Sequence, residues 1–201
     1  MITIWGRLNS HNTKKVVWAA IEAGVEWQRH DIGGAFGYTP EYLAMNPNRM
    51  VPTIEDGAFS LYESNAILRY LAMAYAPHLQ AAEPHTHARG EQWMDWQFQY
   101  ADAQRDAFLG CVRHGKNGSD PVVAASAETC GALMRILDAE LATRAWLSGS
   151  AFGIADIPMG VYAHTFFSLP IARPSLPHVS GWYARLTDRP GFATIAKVPL
   201  T

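Results

Sequence analysis

Residues 51–67 constrain this chain more than any other stretch. An X-Pro strand entrance, a short hairpin and a helix start follow one another within seventeen residues, from Val51-Pro52-Thr53-Ile54 to Tyr62-Glu63-Ser64-Asn65-Ala66-Ile67. Asp56-Gly57 is a hairpin turn signal that returns the chain through Phe59-Ser60-Leu61-Tyr62. The helix that follows carries Ile67, Leu68, Leu71, Ala72 and Tyr75 at helical spacing, which predicts one apolar face.

Upstream, Ile2 and Ile4 alternate with other residues, as a strand with one buried face does, and Gly6 ends the run. Val16, Val17, Ala20 and Ile21 then repeat with helical period until Gly24. Residues 26–32 read as a second strand. Gly33 to Gly37 is a glycine-rich connection, and Pro40 to Met45 has room only for a short helix. The predicted order is β-α-β-α-β-β-α, a parallel pair joined to a hairpin.

From Pro77 to Pro84 the sequence is too polar and proline-bounded to continue the preceding helix. Beyond it strand signals stop. Trp93, Gln97, Tyr100, Gln104 and Phe108 form one helical stripe, and Leu133, Ile136, Leu137 and Leu141 another; further helices begin near Gly153 and Val179. The expected division is an α/β domain over 1–77, a linker over 78–84 and an all-α domain over 85–201.

Composition narrows the partners. Only 17% of the 201 residues are charged and the net charge is -2, so no basic field is available to hold a nucleic acid or an anionic membrane. Met1-Ile2-Thr3-Ile4-Trp5 runs straight into a strand pattern without a signal-like or spanning segment, which predicts cytoplasmic residence. Cys111 and Cys130, in no C-x-x-C pair, read as packing residues. His85, His87 and His114 lack acidic partners at ligand spacing, so no metal is expected.

Two helix starts can carry chemistry. Ser10 and Asn12 lie between the first strand and the first helix, where unpaired N–H groups favour an anion. Either residue can also be a plain N-cap. Glu63 and Ser64 stand at the later helix start with the same two readings, a ligand for a charged substrate group or a cap.

The spacing of these motifs resembles the glutathione transferase family over nearly the whole chain: a thioredoxin-like N-terminal domain followed by an all-helical domain. Ser10 stands six residues before Val16, as the catalytic serine or cysteine does in several classes, and Asn12 matches a position used in others. The resemblance implies that Ser10, ranked ahead of Asn12, donates to the sulfur of glutathione and lowers its pKa. It implies a cis Val51-Pro52 bond whose flanking backbone pairs with the cysteinyl part of glutathione, as an added strand would. Glu63 and Ser64, eleven and twelve residues beyond Pro52, then read as binders of the γ-glutamyl end, with Arg49 as the candidate for the glycyl carboxylate. Trp5 replaces the first-strand tyrosine used by other classes. Gly153-Ile154-Ala155-Asp156 matches the family's helix-start motif with glycine at the cap, leaving Asp156 structural.

Trp93 and Trp96 read as core, whereas Tyr100, Arg105 and Phe108 are candidates for an acceptor pocket in the helical domain. The function expected from the resemblance is a detoxifying transferase, with glutathione as co-substrate, a small hydrophobic electrophile as second substrate, no metal, and a homodimeric assembly. Two alternatives remain. One uses the same thiolate on a peroxide or disulfide; the other is a glutathione-binding or scaffold protein without efficient catalysis.

Overall fold

The computed structural model describes all 201 residues, which separate into two compact units. The first holds β1 (Ile2–Trp5), α1 (His11–Glu22), β2 (Trp27–His30), α2 (Pro40–Met45), β3 (Thr53–Asp56), β4 (Phe59–Tyr62) and α3 (Ser64–Tyr75). The sheet order is β2-β1-β3-β4, with β1 parallel to β2 and antiparallel to β3, and β4 antiparallel to β3. This is the β-α-β-α-β-β-α arrangement that the sequence predicts.

Local chemistry explains the elements. Ile2, Ile4 and Ile54 point into the core from β1 and β3, against Val16, Val17 and Ala20 of α1 and Ile67, Leu68 and Leu71 of α3. Strand β3 begins at Thr53 rather than Val51, since Pro52 has no N–H to give a ladder. The hairpin pairs Asp56 with Phe59 and turns at Gly57, whose φ of 60° suits glycine. Tyr75 departs from the expected buried face. It is 42% exposed, and its hydroxyl donates to the Asp56 carboxylate instead, because that acceptor lies at the surface end of β3.

The first unit also takes in Arg189–Pro199, so the last helix, α8 (Pro190–Ala196), does not group with the helical region as the expected division has it. Helix α8 packs on α1. Phe192 meets the Trp18 ring edge-on at 5.3 Å between centroids, Arg189 pairs with the buried Glu22, and Lys14 Nζ donates to the Val198 carbonyl at 3.2 Å. A turn at Pro77–Leu79 belongs to the same unit and buries Leu79.

The second unit, Ala81–Asp188 with Leu200–Thr201, contains α4 (Pro84–Phe108), α5 (Pro121–Leu141), α6 (Asp156–Ser168) and α7 (Pro177–Thr187). Glu83 and Asp120 cap α4 and α5, each followed by proline at the first helical position, where a missing N–H is harmless. Trp93, Met94, Gln97, Tyr100 and Gln104 line the buried face of α4; Leu133, Leu137 and Leu141 line that of α5. Ile136 is 53% exposed, one position round the helix from the buried stripe. Cys130 is buried as expected, whereas Cys111 is only half-buried, in the wide π turn that ends α4.

Asp156 organises the start of α6. Its carboxylate accepts from the N–H groups of Leu147, Ser148 and Gly153 and from Trp182 Nε1 at 2.8–3.2 Å. The helix therefore begins at Asp156, not Gly153, and Gly153 supplies an N–H to it rather than a cap. Burial raises the Asp156 pKa against the pull of these donors.

Candidate active site

Strand β1 delivers the chain to a tight turn. Gly6 is required there because a Cβ would lie 2.5 Å from Thr13 Oγ1 on α1. The Ser10 N–H donates to the Arg7 carbonyl at 3.1 Å, closing a turn over residues 7–10, and Ser10 becomes the N-cap of α1. Its Oγ accepts from the Thr13 N–H at 3.4 Å. Capping uses the oxygen as acceptor, which leaves the hydroxyl hydrogen as a donor to a sulfur placed at the helix end. The two readings of Ser10 are therefore compatible.

Asn12, in the first turn of α1, accepts through Oδ1 from Ser64 Oγ at 3.3 Å. Ser64 is the first residue of α3 and is nearly buried. The two helix N-termini thus meet through their own side chains, concentrating unpaired N–H groups and positive dipole ends in one region. Glu63 precedes Ser64 with φ 71°, and its side chain makes no cap bond, so the capping reading does not hold for Glu63. Instead its charge acts on Lys15. This lysine of α1 is completely buried, with Nζ 3.5 Å from Asn65 Oδ1. Burial drives its pKa down to about 7, and the attraction of Glu63 opposes that shift.

The Val51-Pro52 bond is cis. Trp5 at the end of β1 pairs with Thr53 at the start of β3, which sets the bond beside the β1–α1 turn. A small network that sequence reasoning missed holds this segment. Tyr42 Oη lies 2.9 Å from Thr53 Oγ1 and donates to the Met50 carbonyl, while Asn46 Nδ2 donates to Thr53 Oγ1 at 3.1 Å and to the Met50 carbonyl at 3.2 Å. Its only sequence signal was a polar Asn46 closing a short helix, which reads equally as a turn. Val51 packs with Ile32 and Tyr42. Arg49 is exposed, with a left-handed φ of 56° that ends the turn after Asn46.

Ser10, Asn12, Val51, Pro52, Glu63 and Ser64 are therefore gathered at the same end of the sheet, with Arg49 two residues away. The helical candidates divide. Tyr100 is wholly buried, its hydroxyl taking a hydrogen bond from Gln104 Nε2 at 3.3 Å and lying beside Cys130, so it is core rather than an open pocket wall. Burial raises its pKa well above the ordinary tyrosine value. Arg105 is exposed in an ion pair with Asp102, and Phe108 is half-buried. Trp93 is core as expected; Trp96 is half-buried and stacks on Tyr100. No group of His, Cys, Asp or Glu is placed to hold a metal ion, and no helix is long and apolar enough to cross a membrane.

Residues 9–74 match the family model for the glutathione S-transferase N-terminal domain, and residues 100–190 match that for the C-terminal domain. The chain is 38% identical over 208 residues to glutathione S-transferase GstB of Escherichia coli K12, with both chains covered in full. Among solved structures it is similar to the theta class glutathione S-transferase of Xanthomonas axonopodis pv. citri with glutathione bound. That match has a TM-score of 0.93 and 46% identity over 100% of this chain and 99% of the other. Glutathione S-transferase I of maize, in complex with an atrazine glutathione conjugate, superposes with a TM-score of 0.87 at 26% identity, covering 97% and 96% of the two chains.

Proposed function

The chain belongs to the glutathione S-transferase family, and on that premise we propose that it activates the thiol of glutathione with Ser10, aided by Asn12, for attack on a small hydrophobic electrophile. The observation that carries this reading is the meeting of two helix N-termini, joined by Ser64 and Asn12, beside the cis Val51-Pro52 edge. That edge offers backbone groups for the cysteinyl unit, and Ser64 with the α3 amides suits the γ-glutamyl carboxylate. Glu63 is suited to the adjacent ammonium and Arg49 to the glycyl carboxylate.

The reaction needs little else from the protein. A thiol of pKa about 8.5 is roughly 3% ionised at pH 7; a depression of two units, about 2.7 kcal/mol, makes it roughly three-quarters ionised. The thiolate then forms a bond to the electrophilic carbon while the leaving group departs with its electron pair. Arg105 and Phe108 are the proposed acceptor contacts in the helical unit. The reading carries with it a detoxifying role in the cytoplasm and a homodimer, for which the exposed Phe59, Met73 and Tyr75 on β4 and α3 are available apolar surface.

Calorimetric titration with glutathione, combined with turnover of an aromatic halide acceptor, tests the proposal. Binding with turnover that falls in the Ser10→Ala and Asn12→Ala variants supports it. Unchanged turnover in both variants removes the thiolate role, and no glutathione binding removes the whole reading.

A further inference from the structure

We propose that Arg7 determines acceptor specificity by receiving a carboxylate that the electrophile carries near its reacting carbon, so that anionic acceptors are preferred to neutral ones. This rests on the thiolate reading above. Arg7 opens the turn whose last residue is Ser10, and the 3.1 Å bond from the Ser10 N–H to its carbonyl holds the two residues within a single reverse turn. Its guanidinium is laid against the glycine-rich loop. A Cβ on Gly34 would stand 3.0 Å from Arg7 Nε and 3.4 Å from Cζ, and the φ of 61° there favours glycine, so the side chain lies in close contact with the loop backbone.

The preceding glycine of the same loop lies against Val51, since a Cβ on Gly33 would lie 3.0 Å from Val51 Cγ1 and 3.2 Å from Tyr38 Oη. Arg7 and Val51 thus approach two successive glycines of one loop, and Arg7 shares a turn with Ser10. It is half-buried, and no carboxylate of the chain pairs with it. The planar fork of its guanidinium suits a carboxylate. Arg49, exposed on the approach to Val51, is the separate candidate for the glycyl carboxylate of glutathione.

The electrostatics favour an acceptor carboxylate. A thiolate approaching an electrophile that already bears a negative charge is repelled, and a guanidinium carried on the turn that ends at Ser10 offsets that repulsion. The carboxylate itself takes no part in bond making. Sulfur bonds to carbon and the leaving group departs with its electron pair.

Titration of the full chain with glutathione, S-(carboxymethyl)glutathione and S-(carbamoylmethyl)glutathione tests this, because the last two differ by one charge at the acceptor position. The wild type is expected to bind the acid about tenfold more tightly than the amide, a difference of about 1.4 kcal/mol. Arg7→Gln is expected to abolish the preference while keeping the amide affinity, which also shows that it folds; Arg7→Lys is expected to keep part of it. Equal binding of acid and amide by the wild type, or a preference unchanged in Arg7→Gln, overturns the proposal. A loss in Arg7→Gln that is as large for glutathione as for the acid overturns it too, assigning the guanidinium to the glycyl carboxylate. Glutathione binding without acid preference rejects Arg7 alone, whereas absence of glutathione binding rejects the thiolate reading with it.

Discussion

Ser64 Oγ donates to Asn12 Oδ1 across 3.3 Å, tying the first turn of α3 to the first turn of α1 although the residues are 52 positions apart in sequence. The bond orients the Asn12 carboxamide so that its NH2 group is the end left to point elsewhere. If both side chains serve one ligand, their effects on glutathione affinity are coupled. Asn12→Ala and Ser64→Ala are each expected to weaken glutathione binding by about tenfold, and the double variant to lose less than the sum, with a coupling energy of about 0.5–1 kcal/mol. Calorimetry on the four proteins measures it; strict additivity would show that the two residues act independently.

Ser10 has two tasks that substitution can separate. Ser10→Gly removes the hydroxyl while costing the helix cap only a few tenths of a kcal/mol, whereas Ser10→Ala costs roughly 1 kcal/mol of stability as well. Both variants are expected to lose about 10²–10³-fold in turnover, the usual effect of deleting one donor to a developing or resident anion. Ultraviolet titration of bound glutathione is expected to show the thiol pKa rising towards its free value. A Ser10→Gly protein with normal turnover would transfer the role to Asn12.

The buried Lys15 predicts a pH dependence of stability. Its folded pKa is about 7, against an ordinary lysine value of 10.5, so between those limits the unfolded chain binds the extra proton. Unfolding free energy therefore rises as pH increases from about 7, and Lys14, lowered to about 8 by burial, adds to the rise in the upper part of the range. Below pH 7 both states of Lys15 are protonated and its contribution is flat. Urea unfolding at a series of pH values from neutral to mildly alkaline checks this, with Lys15→Met expected to show a shallower slope. Identical slopes in the two proteins would mean that Lys15 is hydrated in the folded state.

Helix α8 is expected to be necessary for the first unit. A Cβ on Gly191 would stand 2.1 Å from Trp18 Cδ1 and 2.9 Å from the Trp18 carbonyl oxygen, so Gly191→Ala must push α8 off α1. Overpacking of this kind costs about 1–3 kcal/mol. Because α1 carries Ser10 and Asn12, glutathione affinity should fall along with the thermal midpoint. Differential scanning calorimetry with and without glutathione reads both, and an unaltered midpoint would show that α8 is only loosely seated.

Much of the first unit was legible because its signals are local. Alternating Ile2 and Ile4, the Asp56-Gly57 turn and the helix starts at Ser10 and Ser64 each act within a few residues, where side-chain volume and backbone preference suffice. Ile136 and Tyr75 were misplaced because helical spacing identifies a stripe but not its edge, which depends on what packs opposite. Tyr100 was misjudged for a related reason. Its position on α4 allows either an open wall or the core, and the neighbours that settle it, Gln104 Nε2 on its own helix and Cys130 on α5, act through packed geometry.

By itself the amino-acid sequence determined the order of elements, the placing of Ser10, Asn12, Pro52 and Ser64 at their ends, and the absence of a strongly charged surface. Those properties follow from short-range preference and summed charge. Tertiary structure alone decided that Asn12 meets Ser64, that Tyr42 and Asn46 anchor the turn before the cis Val51-Pro52 bond, that Lys15 loses its water, and that α8 returns to α1. Each of these depends on which distant surfaces exclude solvent from one another, and desolvation is a property of the packed chain rather than of any segment of it.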